Sequence, residues 1–443
     1  MTGKEFELLA PAGSFEIFKA VIEAGADAVY MGYGRFNARR SARNFDDDEF
    51  KKAVEYCHIS GVKVYLTLNT LVSDGEISGA LEVAKNACAA GADGFIVQDI
   101  GLARLLKSAC PDMPLHASTQ CAIRTPEQAA FLEGLGFSRL ILERELSIEQ
   151  IKSIRAAVTC ELEFFVHGAL CVCYSGQCYL SEKIAGRSAN RGACIQACRS
   201  RYDLVDADGK VIVKDKALLS LKDYNLRGRL EDLAAAGICS FKIEGRLKNE
   251  SYVRNVVRDY SIALDRLVEQ GEYQRESLGR VSGGFSPDTS KTFNRGYTEL
   301  FLDGKRGRWA SMDAAKSMGE EIGQVVSLNK DKSSVGLKLV RKDIVLNNGD
   351  GFSFVGKDSS VNGFRGDVCS GNSIRCKSTP SLYVGAKIFR NINIAFEKEI
   401  ERKACIREIR AVVSMDFIKS AEGIWTVKAT ALSEDGRKAC ESF

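Results

Sequence analysis

The chain has 443 residues, 45% hydrophobic and 27% charged, with 62 Lys and Arg against 58 Asp and Glu and a formal net charge of +4. That balance excludes a disordered or polybasic chain, and no apolar run is long enough to span a bilayer as a helix. There are 15 cysteines, but the opening MTGKEFELLAPAG lacks the basic and apolar regions of a secretion signal, so a cytoplasmic location is expected and a disulfide framework is not.

Up to about residue 270, short apolar β-rich runs alternate with helix-like segments. The runs are ELLAP (7–11), AVYMG (28–32), KVYLTLN (63–69), GFIVQD (94–99), PLHAST (114–119), RLILER (139–144), ELEFFVHG (161–168) and SFKIEG (240–245). Amphipathic stretches such as SFEIFKAVIEAG separate them, several ending at the glycine expected just past a helix. Strands that are apolar throughout point to a parallel sheet covered by helices. Eight strand–helix units predict an α/β fold, a closed (β/α)8 TIM-like barrel, and no G-x-G-x-x-G turn follows the first strand to suggest a dinucleotide fold. The last barrel helix is expected in NESYVRNVVRDYSIALDRLVEQ.

The seventh unit breaks the rhythm with a long insertion, 168–239. Beyond residue 270 the texture changes. A polar stretch, 271–314, reads as a linker; short β-like runs at 315–400 predict a small β-barrel domain, and 401–443 a strand-rich C-terminal extension.

The insertion carries Cys171, Cys178, Cys194 and Cys198, spaced C-x6-C-x15-C-x3-C in a segment rich in Gly and Arg without helical or strand periodicity. Such a segment cannot order itself by apolar burial, whereas thiolates converging on inorganic iron would fix it. A [4Fe–4S] cluster suits widely spaced loop cysteines. Structural zinc prefers closer pairs, and independent buried thiols are the bland alternative. Cys173 is an alternative ligand, and Cys239, just before the eighth strand, is expected near the same mouth. Topology puts the insertion at the C-terminal end of the barrel, where barrel enzymes build their sites.

Polar residues recur at the strand ends: Asn69, Gln98, Asp99, His116, Ser118, Gln120, Glu143, His167, Lys242, Glu244 and Arg246. Of these, His116, His167, Glu143, Lys242 and Glu244 are the candidate catalytic groups. The third histidine, His58, falls in a predicted helix and reads as structural. Arg35, Arg39, Arg40 and Arg43 cluster in one loop, and Arg187, Arg191, Arg199 and Arg201 surround the cysteines. If they share a face with the thiols, they make a footprint for an anionic partner such as RNA. Arg35, Arg39, Arg43, Asn69, Gln98, Gln120, Arg187, Arg191 and Arg246 are the candidate substrate- and RNA-binding residues.

The stretch EFFVHGALCVCYSGQCYLS resembles the signature of the collagenase-like peptidase family, and the likeness extends through GRSANRGACIQACR, LLSLKDYN and SFKIEGR and back to ELLAPAGS and LTLNTL. HASTQCAIRT and the second domain are most similar to the branch that hydroxylates carbon 5 of a cytidine in 23S ribosomal RNA; sister branches hydroxylate tRNA uridine. The resemblance implies an iron–sulfur cluster on Cys171, Cys178, Cys194 and Cys198. It also implies prephenate or a related metabolite as co-substrate, a dianion for which Arg187, Arg191, Lys242 and Arg246 are the candidate partners. Proteolysis is the alternative the family label raises, and would call for a pair such as Cys171 with His167.

Overall fold

Four-residue strands whose every side chain is buried need cover on both faces, and a closed barrel ringed by helices provides it. The computed structural model describes residues 4–34, 36–38, 45–271, 273–305, 307–311, 317–358, 360–433, 436 and 438–443. Strands β1 (Lys4–Ala12), β2 (Ala28–Met31), β3 (Lys63–Leu68), β4 (Gly94–Val97), β5 (Leu115–Ala117), β6 (Arg139–Ile141) and β7 (Glu161–Ala169) pair in parallel, each with the next. Within the insertion, β8 (Tyr202–Val205) and β9 (Val211–Lys216) form a hairpin, and β10 (Asp223–Asn225) runs antiparallel to β7. Strand β11 (Ser240–Ile243) then pairs in parallel with both β7 and β1 and closes the eight-stranded barrel. The α/β, TIM-like architecture expected from the strand pattern is the one observed.

The helices start where local chemistry satisfies their free N–H groups. Helix α1 (Phe15–Ala24) is capped by Ser14 and stops at Gly25, whose φ of 109° is left-handed. Helix α2 (Asp47–Ile59) begins with a capping box between Asp46 and Glu49. Asp99, read from sequence as a site residue, instead caps α4 (Ile100–Ala109), following α3 (Ile77–Ala89), by accepting from Leu102 N at 2.9 Å.

Inside the barrel, Leu9, Tyr30, Tyr65, Ile96, Ile141 and Phe165 form an apolar plug. Charge lies below it, towards the N-terminal ends of the strands. Arg139 pairs with Glu7, Glu161 and Glu163, Ser240 donates to Glu7 at 2.7 Å, and Lys242 donates to Glu163 at 2.7 Å. Burial would push the Glu7 carboxyl up, but Arg139 holds it well below the usual carboxylate range. Ions this deep persist only because each is matched; removing one partner leaves a buried unpaired charge.

The described residues of the segment expected to be a linker, 271–314, are instead packed onto the barrel. Tyr273–Arg275 pairs in parallel with β1, and Tyr297–Thr298 pairs with β10. Arg275 is held by Asp27 and Asp265, and Arg295 by Asp223. Its polarity, read as linker texture, is the polarity of residues that ion-pair with the barrel. Residues 320–392 form a seven-stranded antiparallel sheet with its own core around Ile322, Leu337, Phe352, Phe354 and Ile388. The extension returns to the barrel side, where Cys405–Glu408 pairs with Arg280–Gly283, and then forms an exposed three-stranded sheet between Ala411 and Ser442. Among the described residues no helix is long and apolar enough to cross a membrane.

Candidate active site

At the C-terminal mouth of the barrel lies a cavity of about 480 Å³. Tyr30, Ile96, Ile141 and Phe165 floor it, and the insertion lies across it. Polar bonds to the barrel loops hold the insertion in place. Glu143, at the end of β6, accepts from Ser175 N at 2.8 Å and from Ser175 Oγ at 3.1 Å. Gly176 follows with φ of 74°, so close to the barrel that a Cβ there would sit 2.1 Å from Gln120 O. Asn190 Oδ1 accepts from Cys178 N at 3.0 Å, and the Arg191 guanidinium clasps Glu76 at 2.7 Å and reaches Leu71 O at 3.2 Å. Arg199 donates to Leu170 O, Ser220 Oγ and Leu221 O, tying the two ends of the insertion together.

Cys171, Cys178, Cys194 and Cys198 all line this cavity, and all are free thiols. They sense one another: burial first, then the neighbouring Cys178 and Cys194, push the Cys171 thiol up, while Arg144 opposes the rise. Cys198 is raised by burial and by the other three, against the pull of Arg199. Cys194 Sγ accepts from Gln196 N at 3.3 Å and from Ser181 Oγ at 3.8 Å. Among the described residues no three His, Cys, Asp or Glu side chains converge on a point that would hold a single ion. Cys173 and Cys239 do not line the cavity. Cys173 donates to Gln177 O, and Cys239 donates to Leu162 O beside the start of β11, at the other end of the barrel from the mouth.

The cavity is also strongly cationic. Arg144, Arg199, Lys242, Arg246, Lys248 and Arg295 line it against one acid, Glu244. Arg246, which is buried, reaches Thr67 Oγ1 and Asn37 Oδ1 at 3.3 Å, and Arg144 stacks 3.9 Å from the Phe165 ring centroid. Burial lowers Lys242 from its ordinary value while Glu163 pulls it back.

Of the residues singled out from sequence, Asn69, Ser118, Gln120, Lys242, Glu244 and Arg246 meet here. Glu143 and Arg191 position the insertion instead. Gln98 is buried beneath it, its Nε2 3.4 Å from Gln120 O. Arg187 is exposed and does not line the cavity. Arg35, Arg39, Arg40 and Arg43 lie outside the described residues.

The two histidines are the main corrections, since neither lines the mouth. Strand β5 has three residues, so His116 enters the barrel at floor level, its ring 4.6 Å from that of Tyr65. Burial, followed by Arg139, keeps it neutral, well below the ordinary histidine range. His167 is turned outward. The pairing of β7 with β11 slips by one residue, Lys242 opposing Phe165 but Ile243 opposing His167. That irregularity reverses the alternation. The imidazole lies among Tyr252, Tyr260 and Tyr297, and burial pushes it down to about 3.

Sequence reasoning missed Arg144, Lys248 and Arg295. Arg144 is the last residue of RLILER, one place beyond the Glu143 that was chosen. Lys248 and Arg295 carried no local signal, because the cavity collects them from the loop after β11 and from the supposed linker.

A closed barrel with thiols and guanidinium groups gathered at its C-terminal mouth has the layout of a barrel enzyme, and the sequence supplies the family. A model described as peptidase family U32 matches residues 13–311, and the chain belongs to that family. Over 369 residues the chain is 43% identical to the 23S rRNA 5-hydroxycytidine synthase of Escherichia coli, covering 83% of this chain and 55% of that protein. The chain thus spans about half the length of that relative. It is 33% identical over 347 residues to tRNA hydroxylation protein P1 of Bacillus subtilis (76% of this chain, 80% of that one). It is 35% identical over 324 residues to a collagenase of Porphyromonas gingivalis (70% of this chain, 76% of that one).

Proposed function

We propose that this chain is an RNA-modifying enzyme that hydroxylates carbon 5 of a cytidine in 23S ribosomal RNA, with a [4Fe–4S] cluster on Cys171, Cys178, Cys194 and Cys198 and prephenate or a related carboxylate as co-substrate. The observation that carries this reading is one cavity lined by four thiols and six basic side chains. An all-thiol donor set suits iron–sulfur chemistry. Four thiols on widely spaced loop positions suit a cluster that takes one thiolate per iron better than the close pairs of structural zinc. When bound, such a cluster, with a thiolate on every iron, would supply one-electron transfer.

The chain's own residues do the rest. Arg246 and Arg144 hold a carboxylate by charge-assisted bonds. Tyr30 and Phe165 wall off water below it. Lys242 donates to Glu163 at 2.7 Å at the floor. The target base enters unstacked, as chemistry on a base carbon requires. The exposed Arg187 and the arginines of residues 35–43 meet the RNA backbone.

Proteolysis fares worse. No histidine lines the cavity, so a dyad of Cys171 with His167 is not assembled.

The test is nucleoside mass spectrometry of ribosomal RNA from a deletion strain. Loss of 5-hydroxycytidine, restored by the wild-type gene but not by Cys178→Ala, is expected; unchanged RNA refutes the reading. Iron and sulfide counts on anaerobically purified protein check the cluster separately.

A further inference from the structure

Two lysines line the cavity, both lowered by burial but with different partners. Lys242 Nζ donates to Glu163 at 2.7 Å, with both side chains buried, and stays an ion pair. Lys248, in the turn between β11 and α9 (Glu250–Glu269), has no carboxylate at ion-pair distance among the described residues. Its Nζ lies 2.9 Å from the Phe293 ring centroid and 5.5 Å from that of Tyr252. The guanidinium of Arg295 stands 4.7 Å from the same Phe293 centroid and is itself held by Asp223 at 3.0 Å.

We infer that Lys248 is a nucleophilic amine that condenses reversibly with the carbonyl of a 2-oxo carboxylate bound in this cavity, so that the small-molecule partner is a keto acid held covalently for part of the cycle. The inference rests on the reading of the cavity as a site for a carboxylate metabolite and adds which functional group of that metabolite the protein engages.

Burial and the neighbouring guanidinium groups favour the free amine, against the face of the Phe293 ring, which favours the ammonium. An amine becomes a nucleophile when burial and a neighbouring cation disfavour its ammonium form. Burial, and after it Arg295, bring Lys248 down to about 8, with Asp223 and Glu244 opposing and Arg199 adding to the fall. At neutral pH the free-amine fraction then exceeds that of an ordinary lysine by roughly two orders of magnitude. Lys248, Arg246 and Arg144 line the same cavity, so a carboxylate anchored on guanidinium groups brings its carbonyl to an amine that is part of the site.

The step balances without an oxidant. The amine nitrogen attacks the carbonyl carbon, and the C=O π electrons move to oxygen, which takes a proton. The nitrogen gives up one proton and the carbinolamine oxygen, taking a second proton from solvent, leaves as water while the nitrogen lone pair forms C=N, so that Lys248 carries a protonated iminium. Hydrolysis reverses it. While it lasts, the iminium draws electrons from the adjacent carbon, activating the acid for bond changes there.

The experiment is reductive trapping. The full chain, purified anaerobically, is incubated with pyruvate or phenylpyruvate and sodium cyanoborohydride, then analysed by intact mass and peptide mapping. An adduct with the mass of the acid less water plus two hydrogens is expected on Lys248, at least about tenfold above the mean for surface lysines, as the larger free-amine fraction requires. Lys248→Arg, which keeps the charge, should lose it, and Lys183→Arg, at an exposed position of the insertion, should retain it. No adduct on Lys248 in the wild-type protein, an adduct on Lys242 instead, or labelling spread evenly over surface lysines overturns the inference. Because the wild-type map decides, a variant that fails to fold does not blunt the test. Trapping needs no RNA, so an adduct without RNA hydroxylation refutes only the substrate reading. RNA hydroxylation without an adduct refutes only the role of Lys248.

Discussion

The floor and the mouth of the barrel are both rich in charge, but the floor balances acids against bases while the mouth is lined mainly by bases. Below the apolar plug, Arg139, Glu7, Glu163 and Lys242 satisfy one another within hydrogen-bond reach. Above it, six basic side chains and one acid line the cavity, with Lys242 committed to Glu163, Arg295 to Asp223 and Arg144 3.8 Å from Glu244. Matched buried charge contributes structure and is costly to break. A cavity lined mainly by one sign of charge, here positive, favours an anionic ligand. Lys242 belongs to both regions, its stem lining the cavity and its ammonium committed to the floor.

Perturbing each region separately sharpens the contrast. The largest effect is expected from Arg139→Met, which strands Glu7 and Glu163. Unfolding in urea should show a loss of about 3–5 kcal/mol, and a loss under 1 kcal/mol would mean that the floor is not the matched network described. Next is Arg246→Lys at the mouth. It should leave the urea midpoint nearly unchanged but weaken binding of the proposed carboxylate co-substrate, tested with prephenate, by roughly tenfold, since an ammonium cannot reproduce the guanidinium fork; titration calorimetry reads both the affinity and the stoichiometry.

A pH effect separates the regions further. Burial, and after it Glu7, push Glu276 up to about 8 from an ordinary 4.5, against the pull of Lys63. A carboxyl whose folded value is raised binds more protons folded than unfolded across that interval. Its contribution is therefore full below about 4.5 and is lost as pH climbs through 8. Glu276→Gln should flatten this decline in stability between those limits, measured by denaturant titration at several pH values, and a slope unchanged from wild type would be the contrary result. The smallest effect belongs to Glu76→Gln, which releases Arg191. Both side chains are about a third or more exposed, so global stability should shift by no more than about 0.5 kcal/mol, while hydrogen exchange should rise around 188–192 if the clasp holds the insertion.

Much of this architecture was legible from the chain alone. Period and composition gave away eight strands, and the insertion's place after the seventh put the four cysteines at the mouth. Polar strand ends led to Asn69, Gln120, Glu244 and Arg246. The histidines were not legible, because alternation assumes an unbroken register. A one-residue slip beside Val166 turns His167 out, and the brevity of β5 leaves His116 at the floor. The stretch read as a linker failed for a related reason: Arg275 and Arg295 look like solvated residues until their partners Asp27 and Asp223 are brought beside them.

What the residues dictated by themselves was local and periodic: which segments are strands, where helices are capped, and that four sulfurs share one loop. What only the tertiary structure decided was which side chains face a common space. A barrel mouth gathers the ends of eight strands that are distant in the chain, so Arg144, Lys248 and Arg295 become neighbours through closure of the sheet, and no spacing rule could have announced it.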